Sequence, residues 1–268
     1  MSEARAETGA AAGATGAGKR SAAGEVEIAA PIERVWRALT EAAELERWFP
    51  LEARVEPGPD GSIYMSWKNE FAGESKILVW DEPYHLRTSW GFEAVEGEAQ
   101  VTDYVLESRG GGRTVLRVIT SGFPDDAQWD AWVEGTVRGW AFELRSLKHY
   151  LENYAGRDRT VVYLRRRVAL NESEAWARLF GPGGVEPPCV TDALIDHTPP
   201  LQYAAVLAAP EGALFRASLE PGRPATDTRD VTLWLAVWDE AGRRRLPALE
   251  RAWRARLERL FPEGHAVG

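Results

Sequence analysis

The feature of this sequence that most constrains its fold is a series of turn signals between residues 57 and 124. Turns rich in Gly, Pro and Asp, such as Pro57–Gly61, Asp81–Pro83 and Gly110–Gly112, separate short segments with alternating apolar residues. Turn signals spaced about 8–12 residues apart are typical of antiparallel strands joined by hairpins. The pattern predicts a meander with strands at Ser62–Trp67, Glu74–Trp80, Leu86–Phe92, Gln100–Glu107 and Arg113–Ser121.

A long amphipathic helix is predicted directly after the meander. From about Asp125 to Tyr154, apolar residues recur every three to four positions and form one stripe. A strand at Glu25–Ala29 and two short helices carrying Trp36 and Trp48 precede the meander, and Pro31 suits the first position of a helix. A curved antiparallel sheet around one long C-terminal helix must leave space between the two. The order of elements therefore predicts an α+β fold with an internal cavity.

Two glycines interrupt the predicted long helix. Gly135 and Gly139 each cost about 1 kcal/mol of helix stability relative to alanine. Their presence indicates either the close approach of a neighbouring element or room for a ligand.

Three segments of the first half resemble a known family. They are Ile28–Thr40 followed by Trp48-Phe49, Ser121–Pro124 after a glycine-rich hairpin, and Gly139-Trp140 through Leu151. In this order they resemble the activator-of-heat-shock-protein-90-ATPase homologue family of the START-like (SRPBCC) superfamily, over about residues 24–155. The resemblance implies a helix-grip fold related to polyketide cyclases, birch-pollen allergen and lipid-transfer START domains. It implies the location of a site but not a reaction.

The second half departs from this resemblance but repeats its order of elements. Asn171 and Glu174 form a capping box ahead of a helix that carries Trp176. This order predicts a second α+β unit over residues 160–262, interpreted as a shortened and diverged helix-grip repeat. Its predicted strands are Thr160–Leu170, Gln202–Ala208, Ala213–Glu220 and Val231–Trp238, and its closing helix is Leu246–Phe261.

The N-terminal segment lacks the residues that build a core. After Met1, residues up to 23 are almost entirely Ala, Gly, Ser, Thr and charged residues. Too little apolar surface is present to offset the entropy of ordering the chain. We therefore predict a disordered tail over residues 1–23 and a helix-grip domain over residues 24–155.

Composition restricts the partners and the compartment. The net charge of −9 and the pI of about 5.2 argue against nucleic acid and against anionic membrane surfaces. The arginine-rich last helix is interpreted as a solvated face that pairs with this excess of acid. No apolar run approaches the roughly 18–20 residues of a membrane span, and no secretory signal is recognised. With Cys189 as the single cysteine, these features predict a cytoplasmic protein, and the alanine- and arginine-rich composition indicates a bacterial one.

No group of residues in the sequence indicates a reaction centre. The four histidines lie far apart, and the loose group Asp192, Asp196 and His197 lacks the number and spacing of metal ligands. Cys189 has no base nearby in the sequence to activate it. The sequence therefore predicts no catalytic residue, no metal and no cofactor.

The best candidate site is a set of mostly aromatic side chains from the sheet and the long helix. These two elements border the expected cavity, and an apolar pocket is the default ligand site of a fold. Ordinary core packing is the alternative role for these residues. The predicted ligand-binding residues are Met65, Trp67, Phe71, Trp90, Tyr104, Trp129, Trp132 and Trp140.

Taken together, these patterns favour a protein that binds a small apolar molecule without catalysing a reaction. Two alternatives stay open. One is a protein-interaction or co-chaperone-like module that binds another protein, as the name of the family implies. The other is a cyclase- or hydrolase-type enzyme that uses the same cavity.

Overall fold

The computed structural model describes residues 12–14, 19–67, 72–89, 100–184, 190–198, 202–207, 212–221 and 228–267. The chain forms two compact units, Met1–Gly156 and Arg157–Gly268, here called unit 1 and unit 2. No helix among the described residues is long and apolar enough to cross a membrane.

Unit 1 is built on one curved sheet of eight antiparallel strands. The strands lie in the order β1-β2-β8-β7-β6-β5-β4-β3, so most neighbours in the sheet are also neighbours in the chain. Hairpin turns between short alternating segments produce this pairing, and the predicted meander is confirmed. The strands are β1 Ala12–Ala14, β2 Lys19–Ile28, β3 Glu52–Glu56, β4 Ser62–Ser66, β5 Ala72–Asp81, β6 His85–Ser89, β7 Val101–Arg109 and β8 Arg113–Pro124.

Two short helices and one long helix complete unit 1. Helices α1 (Ile32–Thr40) and α2 (Ala42–Leu45) follow β2, and α3 (Asp130–Asn153) closes the unit. Helix α3 begins five residues later than predicted, because a separate 3-10 turn at Ala127–Trp129 precedes it. Strand, short helices, meander and long helix together confirm the predicted α+β, helix-grip fold class.

Strand β2 lies close to α3 because small residues face the helix. Ala22 is fully buried. A Cβ atom on Gly24 would lie only 2.9 Å from Leu144 Cδ1 and 3.4 Å from Trp140 Cβ. Glycine at position 24 therefore sets how closely this strand and the helix approach each other.

The N-terminal boundary differs from the prediction. Strand β2 begins at Lys19 instead of Glu25, and it pairs with β8 along its whole length and with β1 at its start. The Arg20 side chain donates hydrogen bonds to two backbone carbonyl oxygens near the start of α3. The predicted disordered tail therefore does not hold for residues 19–23, where small side chains fit under the helix. Apart from β1, the rest of that segment lies outside the described residues.

Strand β5 contains a bulge that changes which side chains face inward. Its pairing with β6 shifts between Ile77 and Val79, and Leu78 is the extra residue, 50% exposed. Past the bulge, the ring of Trp80 meets that of Trp36 edge to face, with centroids 5.2 Å apart. One strand therefore contributes inward-facing side chains on both sides of the shift.

Four strands were not expected from the sequence: β1, β3, and two strands of unit 2 at Val190–Thr198 and His265–Ala266. Strand β3 has only Ala53 and Val55 as apolar residues among charged neighbours, so its alternation is too short to recognise. The segment that holds Asp192, Asp196 and His197 forms a strand paired with the next strand along the chain. Its polar residues hid it from the sequence analysis, because backbone pairing does not require apolar side chains at every second position.

Unit 2 contains a six-stranded antiparallel sheet with two helices on its apolar face. The order is β10-β11-β12-β13-β9-β14. Helices α4 (Glu172–Phe180) and α5 (Glu240–Leu260) share a core with sheet residues such as Phe215 and Leu233. The strands are β9 Thr160–Val168, β10 Val190–Thr198, β11 Gln202–Leu207, β12 Ala213–Pro221, β13 Arg229–Val237 and β14 His265–Ala266.

The ends of the unit 2 helices are capped by side chains. Asn171 Oδ1 accepts a hydrogen bond from the Glu174 amide at 2.9 Å, which confirms Asn171 as the predicted cap. Helix α5 begins at Glu240 rather than Leu246, because Asp239 caps it by accepting a hydrogen bond from the Gly242 amide. The predicted order of strand, helix, strands and helix is present, whereas an origin as a repeat of unit 1 stays a prediction.

Candidate functional site

A pocket lies in unit 1 between the two short helices and the inner face of the sheet. Its walls come from α1, from α2 and the turn after it, and from strands β4 to β7. The cavity volume is about 10 Å³, which is room for roughly one water molecule. The side chains that line the pocket are Leu39, Leu45, Trp48, Phe49, Ile63, Met65, Ser75, Leu86, Thr88 and Tyr104.

Three hydroxyl groups interrupt this otherwise apolar lining. Ser75, Thr88 and Tyr104 lie on the neighbouring strands β5, β6 and β7, and these residues are 4%, 4% and 6% exposed. None of the three hydroxyls is hydrogen-bonded to another residue in the part of the chain that the structure describes. Buried polar groups are normally hydrogen-bonded. These three residues, here called the hydroxyl trio, therefore give the pocket polar groups that have no hydrogen bond to another described residue.

Thr88 stands at one end of a row of threonines that crosses the sheet. Thr88 is paired with Thr102, and Thr102 with Thr120. The hydroxyls of Thr102 and Thr120 are 3.1 Å apart, and Trp140 Nε1 donates a hydrogen bond to Thr120 Oγ1 at 2.9 Å. The threonine hydroxyls at the end of the row near α3 are therefore hydrogen-bonded within the protein. Thr88, at the other end of the row, lines the pocket.

Tyr104 joins the pocket to helix α3. Its ring packs edge to face against Trp140, with ring centroids 5.8 Å apart. Burial raises the pKa of Tyr104 above its ordinary value of 10.0. The phenol therefore stays protonated at neutral pH and presents an O–H donor to the pocket.

Phe49 connects the pocket with further aromatic rings. Its ring stacks on Trp48 at 4.9 Å, meets Trp67 edge to face at 5.2 Å and lies 5.7 Å from Trp140, measured between centroids. Two of the predicted site residues, Trp67 and Trp140, therefore support a pocket wall from behind.

The structure places the eight predicted ligand-binding residues in different surroundings. Met65 and Tyr104 line the pocket. Trp129 belongs to a separate cluster with Ala22, Phe123 and Val133 at the start of α3. Trp132 is 46% exposed, and its ring centroid lies 6.3 Å from that of Trp129. The last two, Phe71 and Trp90, lie outside the described residues.

Sequence reasoning missed most of the pocket lining. Leu39, Leu45, Trp48 and Phe49 were recognised only as helix residues, although the two short helices cover the open side of the sheet. Ser75 and Thr88 were overlooked because serine and threonine are common on solvated strand faces. The available signal was their position, since each occupies an inward-facing place in an alternating strand.

A buried carboxylate fastens the short helices to the end of α3. Glu44 accepts hydrogen bonds from Arg47 Nη1 and Tyr150 Oη, both at 2.7 Å, and its carboxylate lies 3.1 Å from Arg34 Nη2. The Gly156 amide in turn donates to Tyr150 Oη at 2.8 Å. Burial, assisted by the hydrogen bond to Glu44, raises the pKa of Tyr150. Because its bonds are all used within the protein, this network holds the pocket wall in place.

Other charged groups lie away from the pocket. His85 Nε2 and Asp103 Oδ1 are 2.7 Å apart on the outer face of the unit 1 sheet, where Asp103 also approaches Arg87. In unit 2, Asp230 is fully buried and bound by Arg165 and Arg167. Within the described residues, no three His, Cys, Asp or Glu side chains come together as metal ligands would.

Comparison with known proteins relates the pocket-bearing unit to one family. Residues 29–152 match the model of the family described as "Activator of Hsp90 ATPase homolog 1-like protein" (AHSA1). This segment contains every described residue of the pocket lining. Residues 29–152 are similar to the AHSA1-like family. The match covers just under half of the chain, and the resemblance stated from the sequence is confirmed for this segment.

Solved structures of low sequence identity are similar to half of this chain or more. Protein MLL2253 from Mesorhizobium loti is 22% identical, with 50% of this chain and 98% of that chain covered at a TM-score of 0.45. The Aha1 dimer from Colwellia psychrerythraea is 19% identical, with 51% and 98% covered at a TM-score of 0.45. DynU16, described as a putative protein in the dynemicin biosynthetic locus, is 19% identical, with 88% and 93% covered at a TM-score of 0.44. No curated protein matches the chain.

Proposed function

We propose that the AHSA1-like unit 1 binds a small, mainly apolar molecule in the pocket between α1, α2 and strands β4 to β7. The observation that carries this proposal is the composition of the lining. Seven aliphatic and aromatic side chains converge there with a hydroxyl trio that bonds to no other described residue. Burial of apolar ligand surface would stabilise the complex by roughly 25 cal/mol per Å² before the costs of association.

The same lining favours binding over catalysis. None of the described residues that border the pocket has a carboxylate, imidazole, thiol or amine side chain. The hydroxyls of Ser75, Thr88 and Tyr104 therefore have no base among these lining residues to activate them as nucleophiles. The cyclase- or hydrolase-type alternative would need a reacting group from elsewhere in the chain.

A ligand larger than water must widen the pocket. The cavity of about 10 Å³ is far below the roughly 300 Å³ of an ordinary ligand site. Met65 gives this wall an unbranched side chain with several rotatable bonds, which can move aside at little cost. Further along α3, no described atom lies within 4 Å of a Cβ built on Gly139, so this glycine does not serve a close approach.

The proposal is tested by titrating the full-length protein with cumene, a small apolar probe. Binding should change the tryptophan emission, because Trp48 lines the pocket. Ser75→Leu adds a branched side chain to the lining and should remove binding. Leu164→Ala is the matched control, since it makes a core cavity in unit 2 at a cost of about 2–5 kcal/mol but leaves the pocket unchanged. Absence of binding of both cumene and the neutral ketone acetophenone to the natural protein, or equal binding of cumene to the Ser75→Leu variant, would contradict the proposal.

The protein-interaction alternative rests on one different observation. Trp132 is 46% exposed on α3, beside the partly buried Trp129. Exposed tryptophans are enriched at protein interfaces. Trp132→Ala should leave cumene binding unchanged, and under the protein-interaction alternative it should remove binding to another protein, which a pull-down with the natural protein and this variant measures.

A further inference from the structure

We infer that the ligand of this pocket carries an uncharged oxygen at one end, such as that of a ketone, ester or alcohol, which the hydroxyl trio hydrogen-bonds. The inference rests on the proposed function and specifies the class of ligand for the same site.

The first step concerns the unused hydrogen bonds. Ser75, Thr88 and Tyr104 are each more than nine-tenths buried, and none bonds to another described residue. A purely hydrocarbon ligand would keep water away from these hydroxyls and leave them without partners. Leaving a buried donor unpaired is unfavourable. A ligand with an oxygen at this position removes that penalty, so the trio selects oxygenated molecules over hydrocarbons.

The second step concerns the charge of the ligand. No arginine, lysine or histidine is among the described residues that line the pocket. A carboxylate buried here would have hydroxyl donors but no opposite charge, and an isolated buried charge is strongly unfavourable. Tyr104 stays protonated, as described above, and so can donate to a neutral carbonyl or ether oxygen. The lining therefore matches a neutral polar end and disfavours an anion.

The third step concerns geometry. Thr88 is paired directly with Thr102, and the Thr102–Thr120 pair is already satisfied by Trp140. Only the pocket end of the threonine row remains for a ligand. Ser75 and Tyr104 lie on the strands on either side of Thr88 and are displaced from it by two positions in opposite directions, so Thr88 is the middle member of the trio. The polar end of the ligand should therefore lie on the sheet wall at Thr88, and its apolar end should lie among the aliphatic and aromatic lining residues.

Three probes of similar shape test this class. Acetophenone has a neutral carbonyl, cumene replaces that carbonyl by a hydrocarbon group, and benzoate replaces it by a carboxylate. Their affinities for the full-length protein are measured by titration calorimetry or by ligand-observed NMR. In the Tyr104→Phe variant, the affinity for acetophenone should fall about threefold to tenfold, as expected for the loss of one hydrogen bond. The affinity for cumene should stay the same or rise.

A matched control removes a hydroxyl from the other end of the row. Thr120→Val removes a buried hydroxyl that bonds to Trp140 and not to the pocket. It should lower stability without changing the acetophenone-to-cumene affinity ratio, whereas Thr88→Val should lower that ratio. An unchanged ratio in both Tyr104→Phe and Thr88→Val would overturn the inference while leaving apolar binding intact. If benzoate binds as tightly as acetophenone, the inference that the polar end of the ligand is uncharged is overturned. If none of the three probes binds, the proposed function itself is wrong.

Discussion

Tyr150 donates a 2.7 Å hydrogen bond to Glu44, and this contact joins the last turns of α3 to the short helix that forms one wall of the pocket. Arg34 on α1 and Arg47 just after α2 bind the same carboxylate. The pocket wall is thus fixed by a buried polar network as well as by apolar packing.

Removing either partner of this contact should destabilise unit 1. Tyr150→Phe leaves the Gly156 amide and one carboxylate lone pair unpaired, at a cost of about 1–3 kcal/mol. Glu44→Gln leaves Arg34 and Arg47 without their shared anion. Urea unfolding of both single variants and the double variant should give a coupling free energy of about 0.5–3 kcal/mol. Strictly additive effects would show that the contact adds nothing beyond its separate parts.

Burial of Tyr104 should make the protein sensitive to alkaline pH. The pKa of this phenol is raised in the folded state above the 10.0 of the unfolded chain. Its contribution to stability is therefore complete below pH 10.0 and is lost as the pH rises toward the folded-state pKa. Above the unfolded pKa, the free energy of unfolding should fall by about 1.4 kcal/mol per pH unit from this group. Urea unfolding of the Tyr104→Phe variant should show a shallower decline, and equal slopes would speak against the burial described.

The ion-pair cluster of unit 2 should make the protein sensitive to acid. Burial alone would raise the pKa of Asp230, but hydrogen bonds and charges from Arg167 and Arg165 outweigh it and lower the pKa below 3.8. The stabilisation is thus present above pH 3.8 and is lost as the pH falls through the depressed folded-state pKa. Asp230→Asn leaves two arginines without a counter-charge and should cost about 3–5 kcal/mol near neutral pH. Thermal unfolding at two pH values checks both statements, and Arg178→Ala, which loses only an exposed ion pair with Glu263, serves as the control.

Two N-terminal deletions separate the tail from the strand. Removal of residues 1–18 leaves β2 complete, whereas removal of residues 1–23 also takes away Arg20 and the buried Ala22. The longer deletion should be less stable than the shorter by roughly 1–3 kcal/mol, a typical effect of losing a buried contact and its hydrogen bonds. Equal melting temperatures would show that the first half of β2 contributes nothing.

The sequence was informative where one physical pattern dominated. The strands of the meander alternate around recognisable turns, and the stripe through Trp140 and Leu147 marks a long helix, so both were predicted correctly. The start of β2 was missed because alanine and glycine carry no apolar signal, although their small size is what the close helix requires. Only the fold shows that Ala22 is a core residue.

The candidate site was less accessible to sequence reasoning than the fold. The search for aromatic residues found Met65 and Tyr104 but could not separate them from Trp129 and Trp132, since helical periodicity does not distinguish the two ends of α3. The hydroxyl trio can be recognised only when the pairing of strands β5, β6 and β7 is known. Turns and bulges set that register, and the sequence of a single strand does not show it. Glu44 was overlooked because a glutamate in a short helix is normally solvated.

The bulge at Leu78 has a consequence for how unit 1 tolerates insertions and deletions. Leu78 is the position without a partner, because Ile77 pairs with Thr88 and Val79 pairs with Arg87. Deleting this half-exposed residue would restore regular alternation, with Val79 still paired with Arg87 and Trp80 still paired with Leu86 and facing Trp36. Inserting a residue at a paired position of β5 would instead turn the following side chains to the opposite face. The bulge is therefore a place where β5 can lose a residue without changing which side chains face inward.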